Sequence, residues 1–195
     1  MFDIITVIHN KTNSILAYNK LLPSLKQYAN YPYNFIVRDN TNDNIGFSRA
    51  CNESARSSSN KIIGFVNPDA WIDDFFMDLV LDTLVDDVVI TGCHYGKNPA
   101  EIHSWGLQNW VCGASMFVTR EWFDAMGGFD ERFFWSHEET DFIRTTEKMG
   151  KICKSYSEAE FRIVHSSPAS DSSADTAFKQ TWFANAAQEY HKKWA

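Results

Sequence analysis

Ile62-Ile63-Gly64-Phe65-Val66-Asn67-Pro68-Asp69 is the stretch on which the fold turns. Its first five residues form an apolar run too short for a helix, which reads as a buried strand. The run then meets Asn67, Pro68 and Asp69, residue types that stop a strand and open a turn. Upstream the same grammar repeats. Ile4–Ile8 reads as a strand running into His9-Asn10, and Phe35–Arg38 as a strand running into Asp39-Asn40. Helical patterns fill the gaps: Ser14–Gln27, interrupted or ended near Pro23, and Phe47–Ser58. Strands alternating with helices imply parallel βαβ units, hence an α/β domain with a mostly parallel central sheet. Ligands of such sheets bind beyond the carboxyl ends of the strands. Three strands therefore deliver Asn and Asp to one edge, which predicts a shared polar cleft there.

Downstream, Ile72–Val85 carries Ile72, Phe75, Phe76, Leu79, Val80 and Leu84 near helical spacing. Val88–Thr91 and Ser115–Val118 read as strands, joined by a long loop holding His94, Tyr95, His103, Trp105 and Trp110. A loop that long inside a compact domain usually binds something. Glu138–Met149 reads as a helix stopped by Gly150, Phe161–Val164 as a strand and Asp175–Trp194 as a closing helix. No repeat or linker divides the chain, so residues 1–195 are expected to form one domain. Residues 1–70 would be its nucleotide-binding half and residues 71–195 its acceptor and catalytic half. The Ser-rich stretches Ser57–Ser59 and Ser166–Ser173 read as loops.

With 195 residues, 44% of them hydrophobic, the chain can bury a substantial core. A formal net charge of −7 argues against a generic nucleic-acid binder, which carries a basic face. No apolar run is long enough to span a membrane, and the start lacks the pattern of a signal peptide. Cys51, Cys93, Cys112 and Cys153 lie far apart, without metal-ligand spacing. Together these features lead us to expect a cytoplasmic protein with reduced thiols.

Asp69, rigidified by Pro68 just past a buried strand, suits a hard cation such as Mg2+ or Mn2+, which takes oxygen ligands and bridges carboxylates to phosphates. Asn-Pro-Asp is also an ordinary turn. Glu138-Glu139-Thr140-Asp141 follows the aromatic run Phe133-Phe134-Trp135 and opens a helix. Acids in a first helical turn are favoured by the helix dipole alone. A carboxylate against aromatic walls also has a raised pKa, which suits a general base. His165 closes the last strand as a further polar candidate.

The ordered set of motifs resembles glycosyltransferase family 2, most of all its rhamnosyltransferase-like members. It comprises Asp39-Asn40, then Asn44-Ile45-Gly46-Phe47-Ser48-Arg49-Ala50-Cys51-Asn52, then Asn67-Pro68-Asp69. It continues through Gly113-Ala114-Ser115-Met116-Phe117-Val118-Thr119-Arg120 and Gly127-Gly128-Phe129-Asp130-Glu131-Arg132-Phe133-Phe134 to Glu138-Glu139-Thr140-Asp141-Phe142 and Gly150. The resemblance covers nearly the whole chain and implies a GT-A fold, a single Rossmann-like domain working by an inverting mechanism. It implies a nucleotide-sugar donor, UDP- or dTDP-linked, held by His9, Asn10, Asp39, Gly46, Arg49, Asn52 and Asn67, with Asp39 on the nucleobase. Asp69 takes the place of the last acid of the family's Asp-X-Asp metal motif, whose first acid is here Asn67. His165 matches a late histidine that approaches the metal or diphosphate. The base falls on Glu139, in the family's Glu-Asp position, with Glu138 and Asp141 in reserve.

For the acceptor, a glycan or another hydroxyl compound, Trp105 and Trp110 are the expected stacking platforms, with Gly113 and Trp135 nearby. Trp122 is expected in the core. Two other readings compete. In one the acceptor is a modified base in DNA, which needs a basic strip from Lys97, Arg120, Arg132 and Lys192-Lys193. In the other the chain is a non-catalytic nucleotide-sugar-binding module.

Overall fold

Strand β1 (Phe2–Ile8) is buried along its whole length because it has a parallel neighbour on each side. These are β2 (Tyr33–Asp39) and β3 (Ile62–Val66). Next to β3 come β6 (Ser115–Thr119), β5 (Val88–Cys93) and β7 (Ile152–Tyr156), giving the order β2-β1-β3-β6-β5-β7. Only β6 runs against the rest. This computed structural model describes residues 1–166 and 176–195. The Ser-rich stretch expected as a loop lies outside the described residues from position 167 on, as does Asp175. A two-stranded ribbon of β4 (Ala70–Ile72) and β8 (Ile163–His165) stands apart from the sheet. The fold is thus α/β with a mostly parallel six-stranded centre.

Alternation along the strands sends side chains to two cores. Ile5, Val7, Ile63, Phe65, Met116 and Val118 join one, with α3 (Phe47–Arg56), α6 (Arg120–Ala125) and α7 (Glu138–Lys148). Phe2, Ile4, Ile62, Val66 and Phe117 join the other, with α2 (Leu22–Tyr28) and α4 (Met77–Thr83). A small third cluster of Phe133, Ala186 and Tyr190 fastens α9 (Thr176–Trp194) to the molecule. Among the described residues no helix is long and apolar enough to cross a membrane. The four cysteines are free; Cys51, Cys93 and Cys153 are buried.

Several elements differ from expectation. Pro23 does not end its helix. Between α1 (Lys11–Leu16) and α2 lies a π-helical turn, Ala17–Leu21, in which the Leu22 amide donates to the Ala17 carbonyl. The widened turn makes room for a ring that lacks a donor. The helix expected over 72–85 shrinks to α4, since Ile72 is claimed by β4 and Phe75 is exposed. A long-range pairing with β8 outweighs local periodicity there. The long loop contains α5 (Pro99–Ser104), whose Asn98 side chain accepts from the Glu101 amide. The strand expected at 161–164 splits into the end of α8 (Glu158–Phe161) and β8. Edge strand β7 was missed because it alternates exposed Ile152 with buried Cys153 and a lysine.

Candidate active site

Parallel β1, β2 and β3 end at one edge of the sheet, at Ile8, Asp39 and Val66. Antiparallel β6 begins there, with Ser115 opposite Val66, so Gly113 and Ala114 arrive at the same edge. The Asn67 amide donates to the Ala114 carbonyl at 3.0 Å and locks these two approaches together. β5 and β7 finish beside them at Cys93 and Tyr156. The expected polar edge is therefore assembled from six strands rather than three.

Register places the candidate cation ligands. Ala70 pairs with His165 across the β4–β8 ribbon, which puts Asp69 beside the imidazole. His165 Nε2 lies 3.3 Å from Asp69 Oδ1, and the Asp69 carboxylate is almost wholly buried. The Tyr95 ring packs on His165 at 5.2 Å between centroids. The Tyr95 hydroxyl lies 2.8 Å from Ser115 Oγ and 3.1 Å from the Ile163 carbonyl, which fixes the far end of the ring. The Glu158 carboxylate accepts from the His165 amide at 2.9 Å. Among the described residues no group of three His, Cys, Asp or Glu surrounds a common point. One carboxylate and one imidazole fit an ion whose remaining ligands are substrate phosphates and water.

Glu138 and Glu139 open α7 after two consecutive left-handed residues, Ser136 (φ +72°) and His137 (φ +67°). The Ser136 and Glu138 amides favour the ionised form of Glu138. The Glu139 and Thr140 amides and the Thr140 hydroxyl favour the ionised form of Glu139. Glu138 is buried; Glu139 is partly exposed as a residue, but its Oε2 is closed to solvent like that of Glu138. Burial is the main reason both pKa values lie above the ordinary glutamate range, and each carboxyl also acts on the other. Gly113 faces them. A Cβ there would lie 3.6 Å from Glu138 Oε1 and 3.8 Å from Glu139 Cδ. Asp141 points elsewhere, accepting from Lys193 Nζ and Trp194 Nε1 at 2.8 Å each.

The donor candidates divide. Asp39 stands exposed at the end of β2, its Oδ1 accepting from the Thr41 amide, which with the Thr41 side chain holds its pKa below the usual carboxylate range. Asn10 caps α1 by accepting from the Asn13 amide at 2.8 Å, and the His9 amide reaches Asn13 Oδ1. The α3 residues hold protein instead. Asn52 is buried, donating to the Phe129 carbonyl and accepting from the Phe129 amide, both at 2.9 Å. Gly46 (φ +88°) lies against Phe134, and Arg49 pairs with Glu53 at 3.0 Å.

The acceptor candidates divide too. Trp110 sits inside the core rather than offering a face, because Trp105 closes over it edge-on at 5.6 Å. Trp105 is only partly buried, and its carbonyl accepts from the Tyr190 hydroxyl at 2.7 Å. Trp135 is partly exposed in the segment leading to Ser136. Trp122 packs against the core as expected, its indole donating to Thr146 Oγ1. Sequence reasoning gave no role to buried Asn40, whose Nδ2 donates to the Gly46 carbonyl at 3.3 Å and whose Oδ1 lacks a partner among the described residues. Tyr95 stood in the sequence only as part of the long loop, without a role of its own; the Tyr-Gly pair after β5 was the available signal, since both residues take positive φ in a tight turn closed by the Lys97 amide on the His94 carbonyl.

No protein-family model matches the sequence, and no curated protein is similar to it in sequence. Solved structures are similar in fold. The mannosyltransferase PcManGT from Pyrobaculum calidifontis, in complex with GDP-Man and Mn2+, superposes with a TM-score of 0.64 at 16% identity, covering 80% of this chain and 55% of that one. A mutant Drosophila β1,4-galactosyltransferase 7, in complex with manganese, UDP-Gal and xylobiose, gives 0.61 at 15% identity, covering 85% and 70%. Residues 1–349 of S. aureus TarS, in complex with UDP, give 0.56 at 13% identity, covering 82% and 62%. The chain thus spans little more than half of the mannosyltransferase and has the fold these glycosyltransferases share.

Proposed function

We propose that this protein is an inverting glycosyltransferase that moves a sugar from a nucleotide-sugar to an acceptor hydroxyl. The observation that carries the reading is the meeting at one sheet edge of the Asp69–His165 pair and the Glu138–Glu139 pair, which faces Gly113 just before β6. The shared fold supports it. Asp39, ionised and exposed, accepts an N–H of the nucleobase, and the UDP or dTDP imide offers one. Asp69 and His165 would hold a divalent cation, which would offset charge on the leaving diphosphate. Gly113 leaves open the space before Glu139, where the acceptor hydroxyl sits. Glu139 takes its proton as the oxygen bonds to the anomeric carbon, and the bond to phosphate breaks with its electron pair leaving on the diphosphate. One displacement on one face inverts the centre.

Binding tests this directly. UDP, dTDP and GDP are each added with and without Mn2+ while thermal unfolding is followed. A ligand at 100 times its Kd stabilises by about 2.7 kcal/mol, a readily measured shift. Stabilisation by at least one nucleotide that needs Mn2+ in the parent, and is lost in a folded Asp69→Ala, is the expected result. Absence of any nucleotide effect in Mn2+ sinks the proposal.

A further inference from the structure

The two adjacent glutamates present a problem of protons. Glu138 Oε2 and Glu139 Oε2 are both shut off from water, and neither meets a donor among the described residues. Both side chains nevertheless converge on one point beside Gly113, 3.6 Å from Glu138 Oε1 and 3.8 Å from Glu139 Cδ, and each carboxyl acts on the other. Two ionised carboxylates this close in a buried site repel strongly, so such a pair retains one proton. The other groups facing Glu138 do not relieve this. Cys51 of α3 and Cys112 of the approach to Gly113 are thiols driven up by burial, and their strongest charge interactions are with these same glutamates. The adjacent His137 ring contacts Ser136 Oγ at 3.1 Å and packs on Phe183 and Tyr190. No lysine or arginine is among the main influences on either carboxyl.

The site is asymmetric in a way that places the proton. Glu138 is buried while Glu139 is partly exposed, so burial penalises a charge on Glu138 more. The Glu139 and Thr140 amides and the Thr140 hydroxyl also favour the ionised form of Glu139. We propose that Glu138 is a positioning residue for Glu139, keeping the pair's single proton and donating it as a hydrogen bond that holds Glu139 ionised beside Gly113. The proton placement rests on these contacts alone; its catalytic consequence rests on the transferase reading. The αL pair Ser136-His137 leads directly into Glu138, and the Ser136 amide is among the groups that favour its ionised form.

The experiment is carbon-13 NMR of the whole protein labelled at its glutamate carboxyls, titrated through neutral pH without substrate. The parent and Glu139→Gln should each show a protonated carboxyl at neutral pH, and Glu138→Gln should show none. In Glu138→Gln the amide still donates to Glu139, so its titration should stay near the parental position. In Glu138→Ala the donor is gone, and the Glu139 protonation constant should rise at least tenfold. If the alanine variant does not fold, the two glutamine variants decide. A protonated signal that survives in Glu138→Gln and vanishes in Glu139→Gln overturns the proposal, as does its absence from the parent. Turnover then separates the two readings. Glu139→Gln should fall by about 10²–10⁴ with donor affinity unchanged, while Glu138→Gln stays within tenfold. The expected NMR pattern with unaltered turnover in both variants would reject Glu139 as base while leaving the proton on Glu138.

Discussion

Two glycines show what single residues do at this site. Gly113 takes an ordinary backbone conformation, and a methyl there would meet its neighbours at normal contact distance, the nearest atom being Glu138 Oε1 at 3.6 Å. Alanine at 113 should therefore fold normally, with a gain of up to about 1 kcal/mol from a less flexible unfolded chain. On the proposed function its methyl would take the acceptor hydroxyl's place, so turnover should drop at least tenfold while nucleotide affinity stays. Gly46 is the opposite case. Its φ of +88° and a would-be Cβ 2.8 Å from the Phe134 ring make Gly46→Ala destabilising, by about 1–3 kcal/mol. Denaturant unfolding and steady-state kinetics on both variants check the pair; a Gly113→Ala enzyme with parental turnover would remove position 113 from the acceptor path. Such distinctions were beyond the sequence. It brought Gly46, Asn52 and Gly113 forward with equal weight, and only packing assigns Asn52 to the 129–131 segment and Gly113 to the carboxyls.

Among the elements, α9 is the one whose attachment carries a stability prediction. Trp182 stacks on Phe134 at 4.3 Å, the Arg144 guanidinium lies 4.6 Å from the Trp194 ring, and Lys193 bridges Asp130 at 2.9 Å and Asp141 at 2.8 Å. Burial pushes the Asp141 pKa up even though Lys193 and Trp194 pull it down. Lys193→Ala would leave that carboxylate with Trp194 alone. Removing one partner of a fully buried pair costs about 3–5 kcal/mol. Lys193 is 26% exposed, so about 1–3 kcal/mol is the expected loss. Adding Asp141→Asn should recover part of it in denaturant unfolding; strict additivity would mean that the pair does not couple. The same helix was legible in the sequence, as were β1, β2, β3, β5 and β6, because each follows from a local apolar pattern. What stayed hidden depends on distant partners: β4 exists because β8 pairs with it, and the π turn because a proline falls inside a helix that tertiary packing sustains. The Asp69–His165 pair lay between these extremes. Both residues were visible as strand ends, but only the Ala70–His165 register makes them neighbours.

At the scale of the whole molecule, charge placement separates the possible acceptors. Binding DNA would require the basic strip of Lys97, Arg120, Arg132, Lys192 and Lys193 to be free for phosphates. Instead Lys97 pairs with Glu101, Arg120 with Asp3 and Asp124, Arg132 with Asp130, Lys192 with Glu189, and Lys193 with Asp130 and Asp141. Each phosphate contact would first have to break one of these pairs, and the net charge of −7 opposes approach from a distance. The acidic edge formed by Asp39, Asp69 and the glutamate pair repels a diphosphate for the same reason. Under the transferase reading, a divalent cation held by Asp69 would offset that repulsion. The two cases should therefore respond oppositely to the medium. Nucleotide binding should need Mn2+, whereas fluorescence anisotropy with a labelled DNA duplex should show affinity weaker than the usual non-specific range of about 10⁻⁴–10⁻⁶ M. Between 50 and 200 mM salt a protein contacting six to ten phosphates loses about 10³–10⁵ in affinity, and this chain should show almost no such slope. Tight duplex binding that weakens steeply with salt would mean that those ion pairs open to phosphate, and would restore a modified DNA base as the acceptor.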